Sequence, residues 1–140
     1  MADDILDRII VPVSDEDDAV KTAKAVAPYF DGTELFVVYV VEKGGGAPDK
    51  APMEAVEEHG RKALDAFEKE MSEQGVEVEK DVLFGEDVAE TVLKEAEKRD
   101  ATVVFVARKG GRFIRLLTGD DALSFVTENR VPVVSLPRPE

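Results

Sequence analysis

TVVFVARKGGRFIRLLTGDDALSFVTENRVPVVSL, residues 102–136, holds two strand patterns separated by a basic loop and an acidic helix start. The run Thr102–Val106 is the most β-prone in the chain, and Val131–Leu136 closes the stretch with a second apolar run. Between them, Asp120–Glu128 has the spacing of a short helix. A strand, a helix and another strand in this order are typical of two parallel strands joined by a crossover helix.

The pattern continues upstream as alternating strands and helices. The nearly continuous apolar run Ile9–Val13 predicts a strand buried on both faces of a parallel sheet. The alternating run Val76–Val82 predicts an edge strand with one wet face. Further patterns predict a strand at Glu34–Val41 and helices over about 14–27, 52–74 and 86–98. We therefore expect one α/β domain over residues 1–140, with an open doubly wound five-stranded parallel sheet, an order such as 3-2-1-4-5, and helices on both faces.

The charge of the chain is strongly negative, with 31 acidic and 18 basic residues and a formal net charge of -13. A nucleic-acid backbone would meet this negative surface, so we expect no nucleic-acid partner. The chain has no cysteine, and no apolar run approaches the length of a membrane span. We expect a cytoplasmic protein without a membrane partner. The acidity is consistent either with an ordinary acidic protein or with adaptation to a salt-rich (halophilic) cytoplasm.

A helix start follows the first strand. Either Ser14 or Asp15 can accept the first free N–H groups, while Asp17 and Asp18 place negative charge at the positive end of the helix dipole. The run of four acids from Asp15 could also suggest a metal site, but dipole partners and solvated charges are the favoured interpretation, so no metal ligand is assigned.

The sheet order predicts where a ligand would bind. In an order such as 3-2-1-4-5, the reversal lies between the first and fourth strands, and ligands collect there at the carboxyl ends. This places Val13 and Ser14 beside Ala107 and Arg108, with Val40 close by.

The loop after the fourth strand carries an unusual concentration of positive charge. Gly110 allows backbone amides to approach an anion, Arg108 and Arg112 offer charge-assisted donors, and the helix at Asp120 presents its N-terminus. These parts suit a phosphate. The alternative is a solvated loop whose arginines pair with the acidic surface.

No residue pattern predicts catalysis. His59 is the only histidine and falls in a polar helix segment, which indicates a surface residue. The chain has no cysteine nucleophile, no Gly-x-Ser-x-Gly elbow and no Walker A sequence. A phosphoacceptor receiver would need an aspartate at the end of the third strand, which Leu83–Gly85 does not supply. We expect no enzyme activity and assign no catalytic residue.

The chain resembles the universal stress protein family over essentially its whole length. The resemblance rests on the four segments Arg8–Val13, Thr102–Ala107, Leu116–Gly119 and Val131–Val134. It implies the 3-2-1-4-5 α/β fold, frequent homodimers through the last strand, here residues Val131–Leu136, and, in one branch, ATP at the reversal of strand order.

The nucleotide-binding branch of that family carries Gly-x2-Gly-x9-Gly-Ser/Thr and an aspartate after the first strand that holds the adenine. Here Ser14 replaces that aspartate, and Ala107 stands at the first glycine. Gly110 can serve as the second glycine, but eight residues separate it from Gly119. Asp120 occupies the Ser/Thr position, where a carboxylate only accepts hydrogen bonds and adds like charge near a phosphate.

Two hypotheses follow. The first is a homodimeric stress-response module with a degenerate nucleotide site and no cofactor, acting by association. The second is an ATP or anion sensor, in which Asp120 and Asp121 could recruit Mg²⁺ to bridge to phosphate. The candidate binding residues are Val13, Ser14, Val40, Ala107, Arg108, Gly110, Arg112, Gly119 and Asp120.

The excess of acidic residues generates a prediction about salt. Raising KCl from about 0.1 M to about 1 M shortens the screening length from about 10 Å to about 3 Å. If the surface is adapted to a salt-rich cytoplasm, the melting temperature should rise markedly over this range, as followed by circular dichroism. A flat response would favour the ordinary acidic protein.

Overall fold

The computed structural model describes residues 5–30, 32–43, 53–106 and 131–137. These ranges contain strands and helices that alternate along the chain, as the hydrophobic patterns predict. The predicted helix Asp120–Glu128 lies outside the described residues. The elements are β1 (Arg8–Pro12), α1 (Glu16–Val26), β2 (Glu34–Glu42), α2 (Met53–Glu73), β3 (Glu79–Gly85), α3 (Val88–Arg99), β4 (Thr102–Val106) and β5 (Val133–Leu136).

The five strands form one parallel sheet in the order β3-β2-β1-β4-β5, which confirms the predicted fold class. β1 is the middle strand, with Ile10 opposite Phe36 of β2 and opposite Val103 of β4. β3 pairs with β2 and forms one edge of the sheet. The prediction of an edge strand in this part of the chain is therefore confirmed.

The sheet separates two apolar cores, and successive residues of β1 contribute to opposite sides. Ile9 and Val11 pack with α1 and α2, whereas Ile10 packs with α3. All three side chains are fully buried. This explains why β1 reads as a continuous apolar run, because a strand covered by helices on both faces has no wet side. Truncating such a side chain to alanine typically costs about 2–5 kcal/mol.

β3 begins three residues later than the alternating run Val76–Val82 predicts, and it extends to Gly85. The reason lies at the end of α2. Gly75 has a φ of 79°, and its N–H donates to Ser72 while the N–H of Val76 donates back to Met71 at 2.9 Å. These two bonds form the glycine-containing cap that ends many helices. Val76 is thereby committed to the helix end and lies outside the ladder with β2.

Arg99 in the last turn of α3 ties the helix to the sheet. Its Nη2 donates to Asp81 of β3 at 2.5 Å and its Nε to Glu95 at 2.7 Å. The guanidinium also lies 4.7 Å from the ring centre of Phe36, and the backbone oxygen of Arg99 accepts a bond from Arg8 at 2.6 Å. The Arg99 side chain is 20% exposed and that of Asp81 46%, so salt screens this cluster less than a fully exposed ion pair.

Replacing Arg99 with methionine should therefore destabilise the fold. The substitution keeps an apolar stem but leaves Asp81 and Glu95 without this cation, and charged hydrogen bonds of this kind contribute about 1.5–3 kcal/mol. We expect a loss of about 2 kcal/mol in the free energy of unfolding, measured with urea.

Arg61→Met is the matched control. Arg61 reaches Glu57 at 3.9 Å with 65% of its side chain exposed, so its loss should change stability by less than about 0.5 kcal/mol. Equal effects of the two substitutions would contradict the role assigned to Arg99.

Candidate functional site

The strand order reverses between β1 and β4, and this reversal marks the candidate site. β2 and β3 lie on one side of β1, whereas β4 and β5 lie on the other. In open parallel sheets, ligands bind outside the carboxyl ends of the strands at such a reversal. The described residues at this end of β1 are Val13 and Ser14.

Val13 and Val40 have structural surroundings in the described part of the fold. The N–H of Val13 donates to the backbone oxygen of Val38 at 3.0 Å, which extends the pairing of β1 with β2. The Val13 side chain belongs to the core under α1 and α2, and that of Val40 to the core under α3. The two valines therefore pack on opposite faces of the sheet, in different cores.

Ser14 is half-buried, and both of its donors point to one carboxylate. Its backbone N–H donates to Oδ2 of Asp18 at 2.8 Å, and its hydroxyl donates to the same oxygen at 3.1 Å. The other oxygen, Oδ1, accepts from the hydroxyl of Thr22 at 3.3 Å. The contact between Ser14 and Asp18 was missed by the sequence analysis, which treated Asp18 only as a charge at the helix dipole.

Asp15 is the N-cap of α1, which decides between the two cap residues that the sequence left open. Its side chain accepts from the N–H of Asp18 at 2.7 Å, and its backbone is extended with a φ of -149°. An acid at the N-cap with a second acid three residues later is a variant of the capping box, and this spacing could have indicated that Asp18 reaches back. Glu16 and Asp17 add further negative charge to the first turn. A phosphate is therefore disfavoured at this particular helix end.

The remaining predicted site residues follow β4 in the sequence. They cannot be placed relative to Ser14, and their assignment stays a prediction. Ala107, Arg108, Gly110, Arg112, Gly119 and Asp120 all lie outside the described residues.

Metal binding was the less favoured interpretation of the acids at the start of α1. In the described part of the chain, no three histidine or carboxylate side chains lie where they could share a metal ion. The carboxylates of Asp15 and Asp18 instead accept hydrogen bonds from α1 and from Ser14.

An open groove of about 560 Å³ lies far from this edge, between the end of α2 and the segment that leads into β3. Lys80 nearby forms ion pairs with Asp65 at 3.0 Å and Glu68 at 2.9 Å. The hydrogen bonds that the Lys80 ammonium donates to Glu68 and Asp65 raise the pKa of Lys80 above its ordinary value. These are exposed structural ion pairs at the amino end of β3, opposite to the carboxyl ends where ligands bind. The groove is lined by Asp65, Glu68, Lys69, Ser72, Glu73, Val76, Glu77 and Val78.

The strand order defines an open doubly wound α/β protein with a potential ligand site at the reversal of strand order. The sequence model of the universal stress protein family matches residues 6–137. The chain therefore belongs to the universal stress protein family, as the resemblance of its strand segments indicated. Among curated proteins, none matches the chain significantly in sequence.

Solved structures of this family share the fold. A universal stress protein of Archaeoglobus fulgidus in complex with dAMP has a TM-score of 0.66 and 19% identity, covering 95% of this chain and 99% of that one. A family member from Burkholderia pseudomallei has a TM-score of 0.65 and 22% identity, with 97% and 99% covered. One from Arabidopsis thaliana with AMP bound has a TM-score of 0.58 and 14% identity, with 94% and 92% covered.

The helices of the described ranges pack against the two faces of the sheet. None of them combines the length and the apolarity that a membrane span requires.

Proposed function

We propose that this protein is a non-catalytic stress-response module that binds an adenine nucleotide at the carboxyl edge between β1 and β4. Of the two hypotheses from the sequence, this is the nucleotide sensor. The observation that carries the proposal is the reversal of strand order at β1 and β4, with Ser14 two residues after the end of β1. The structures of relatives with dAMP and with AMP support it, because those proteins share this fold.

A second candidate is the association module without a cofactor, and one observation favours it. The start of α1 carries its own acids, with Asp15 accepting from the N–H of Asp18. The negative charge at the start of α1 therefore disfavours a phosphate there. The phosphates of a nucleotide would have to bind elsewhere. The acidic residues at the start of α1 would then be consistent with a degenerate nucleotide site in a protein that acts through its partners.

The absence of catalysis in this proposal rests on what the described residues offer. His59 is exposed and lies edge-on to Tyr39, with 5.9 Å between the ring centres. It lies on α2, where no described residue gives it a hydrogen bond, and the chain has no cysteine. Ser14 donates its hydroxyl to the carboxylate of Asp18, and a carboxylate is a weaker general base than the imidazole that usually activates a serine nucleophile.

Homodimerisation through the last strand is part of the proposal, and the direction of the backbone groups in β5 supports it. The backbone oxygen of Pro132 accepts from the N–H of Val103 at 3.0 Å. In a parallel ladder with this register, the N–H groups of Val134 and Leu136 face β4, and those of Val133 and Ser135 face away. An edge strand with outward-facing groups and apolar neighbours is suited to pairing with a second copy.

Titration with ATP tests the nucleotide proposal. Calorimetry with and without Mg²⁺, at low and high KCl, should show saturable binding in the micromolar range. The absence of binding up to millimolar ATP would contradict it and favour the cofactor-free module.

Arg108→Ala combined with Arg112→Ala should weaken binding if the predicted basic loop contributes to the site, because the two guanidinium groups would no longer meet the phosphates.

Ser135→Pro tests the dimer. Proline removes an N–H that faces away from β4, so it should convert a dimer to a monomer while the bonds to β4 persist. The measurement is sedimentation velocity, with circular dichroism to show that the variant is folded. Ser135→Ala keeps the N–H and is the matched control that should remain dimeric. A wild-type protein that sediments only as a monomer would contradict the proposal.

A further inference from the structure

We infer that the outer edge of β3, together with the groove beside it, docks an extended basic segment of a partner protein, which adds to the sheet as a further strand. β2 separates β3 from β1, so this surface lies apart from the reversal of strand order. The inference therefore goes beyond the proposed nucleotide site and does not depend on it. Three features carry it: the direction of the backbone groups in β3, the position of one lysine, and the charge of the groove.

The ladder with β2 shows which backbone groups of β3 face outward. The oxygen of Gly85 accepts from the N–H of Lys43, directly after β2, at 2.8 Å, so Gly85 faces β2. Alternate residues of a parallel strand face the same neighbour. The N–H and C=O groups of Lys80, Val82 and Phe84 therefore point away from β2, where the described ranges contain no further strand. Such a row of outward groups is a template on which an extended peptide can pair.

Edge strands are usually protected against pairing, and in β3 that protection is weak. A lysine whose ammonium projects beyond an edge keeps other strands away. Here the Lys80 ammonium instead lies 2.9 Å from Glu68 and 3.0 Å from Asp65, and both carboxylates belong to α2. These ion pairs hold the charge against the helix and neutralise it. β3 also contains no proline, and Phe84 is 46% exposed, so an added strand would find an open edge with an apolar side chain beside it.

The charge of the groove determines which peptides fit. The groove borders the segment that leads into β3, and its lining carries four carboxylates and one ammonium. Asp65 and Glu68 pair with Lys80, whereas Glu73 and Glu77 form no ion pair with another described residue. Lysine or arginine side chains on an added strand would complement these carboxylates. A second copy of this chain is disfavoured as the occupant, because it brings a net charge of -13 to the same surface.

A blocked peptide of about seven residues that alternates lysine and threonine is the probe, since it spans the outward groups of β3. Fluorescence anisotropy in about 0.15 M KCl should show saturable binding. A glutamate–threonine peptide reverses the charge, and a lysine–proline peptide keeps the charge but cannot pair as a strand. Each should bind about tenfold more weakly, because the first loses the charge complementarity and the second loses the backbone hydrogen bonds.

Amide hydrogen exchange, followed by NMR at saturating peptide, locates the bound strand. Exchange at Lys80, Val82 and Phe84 should slow by about tenfold or more, because their N–H groups would become hydrogen-bonded. Exchange at Asp81 and Leu83 should not change, since these residues already face β2. Protection of the outward groups of β5 instead would overturn the assignment to β3.

Two pairs of variants separate the edge from the charge. Lys80→Ala frees two carboxylates and should bind the probe at least as tightly as the wild type. Lys80→Pro makes the same change in charge but also removes an outward N–H, so it should bind about tenfold more weakly than Lys80→Ala. Glu73→Gln combined with Glu77→Gln should weaken binding by about fivefold. Glu54→Gln combined with Glu58→Gln removes the same charge from the other end of α2 and should leave the affinity nearly unchanged.

Several outcomes would overturn the inference. Equal binding of the lysine–threonine and lysine–proline peptides would show that charge alone attracts them. Equal affinities of folded Lys80→Ala and Lys80→Pro, or equal effects of the two glutamate pairs, would also contradict it. If Lys80→Pro does not fold by circular dichroism, the peptide comparison and the exchange measurement on the wild-type protein still decide.

Sedimentation tests the second copy as the occupant. If Ser135→Pro still self-associates, binds no peptide, and becomes a monomer only with Lys80→Pro, the edge of β3 pairs with another copy and the basic partner is wrong. None of these results bears on ATP binding, which the nucleotide titration tests separately.

Discussion

The burial of β1 on both faces, together with its pairing on both sides, is the constraint on which the rest of the fold depends. Ile9, Ile10 and Val11 are fully buried, and the strand is aligned with β2 over five residue pairs and with β4 over two. A buried strand can satisfy its backbone groups only through its neighbours. β1 thus requires a strand on each side and helices above and below, and the order of the sheet places its carboxyl end at the reversal of strand order.

Much of the fold could be predicted because its strands and helices carry strong local signals. The continuous apolar runs of β1 and β4 and the helical spacing of α2 each indicate an element from a few neighbouring residues. The start of β3 could not be predicted in this way, because Val76 continues the alternating pattern yet closes the end of α2. Arg99 was also not anticipated, since its partner Asp81 stands 18 residues earlier and is brought close only by the packing of α3 against the sheet.

The position of Ser14 after β1 was predictable from the sequence, but its hydrogen bonds were not. The strand order alone placed Ser14 at the carboxyl edge, and the structure has it there. The partner of the Ser14 hydroxyl depends on where the first turn of α1 places Asp18. A sequence pattern records that both residues are present, but the orientation of a hydroxyl follows from backbone geometry. Membership of the universal stress protein family accounts for the fold of the chain.

The lack of alternation in β1 has a consequence for how this chain can diverge. A one-residue insertion within the strand would exchange the residues that face the two cores, and apolar side chains would still fill both of them. The same insertion would move every later residue of the strand to the opposite face and displace Ser14 from its place at the edge. Packing in the two cores therefore constrains the register of β1 only weakly. The position of Ser14 beyond the end of the strand, in contrast, depends directly on that register. Apolar substitutions of similar volume in β1 would leave both cores filled, whereas a change in the length of the strand would displace the residues that follow it.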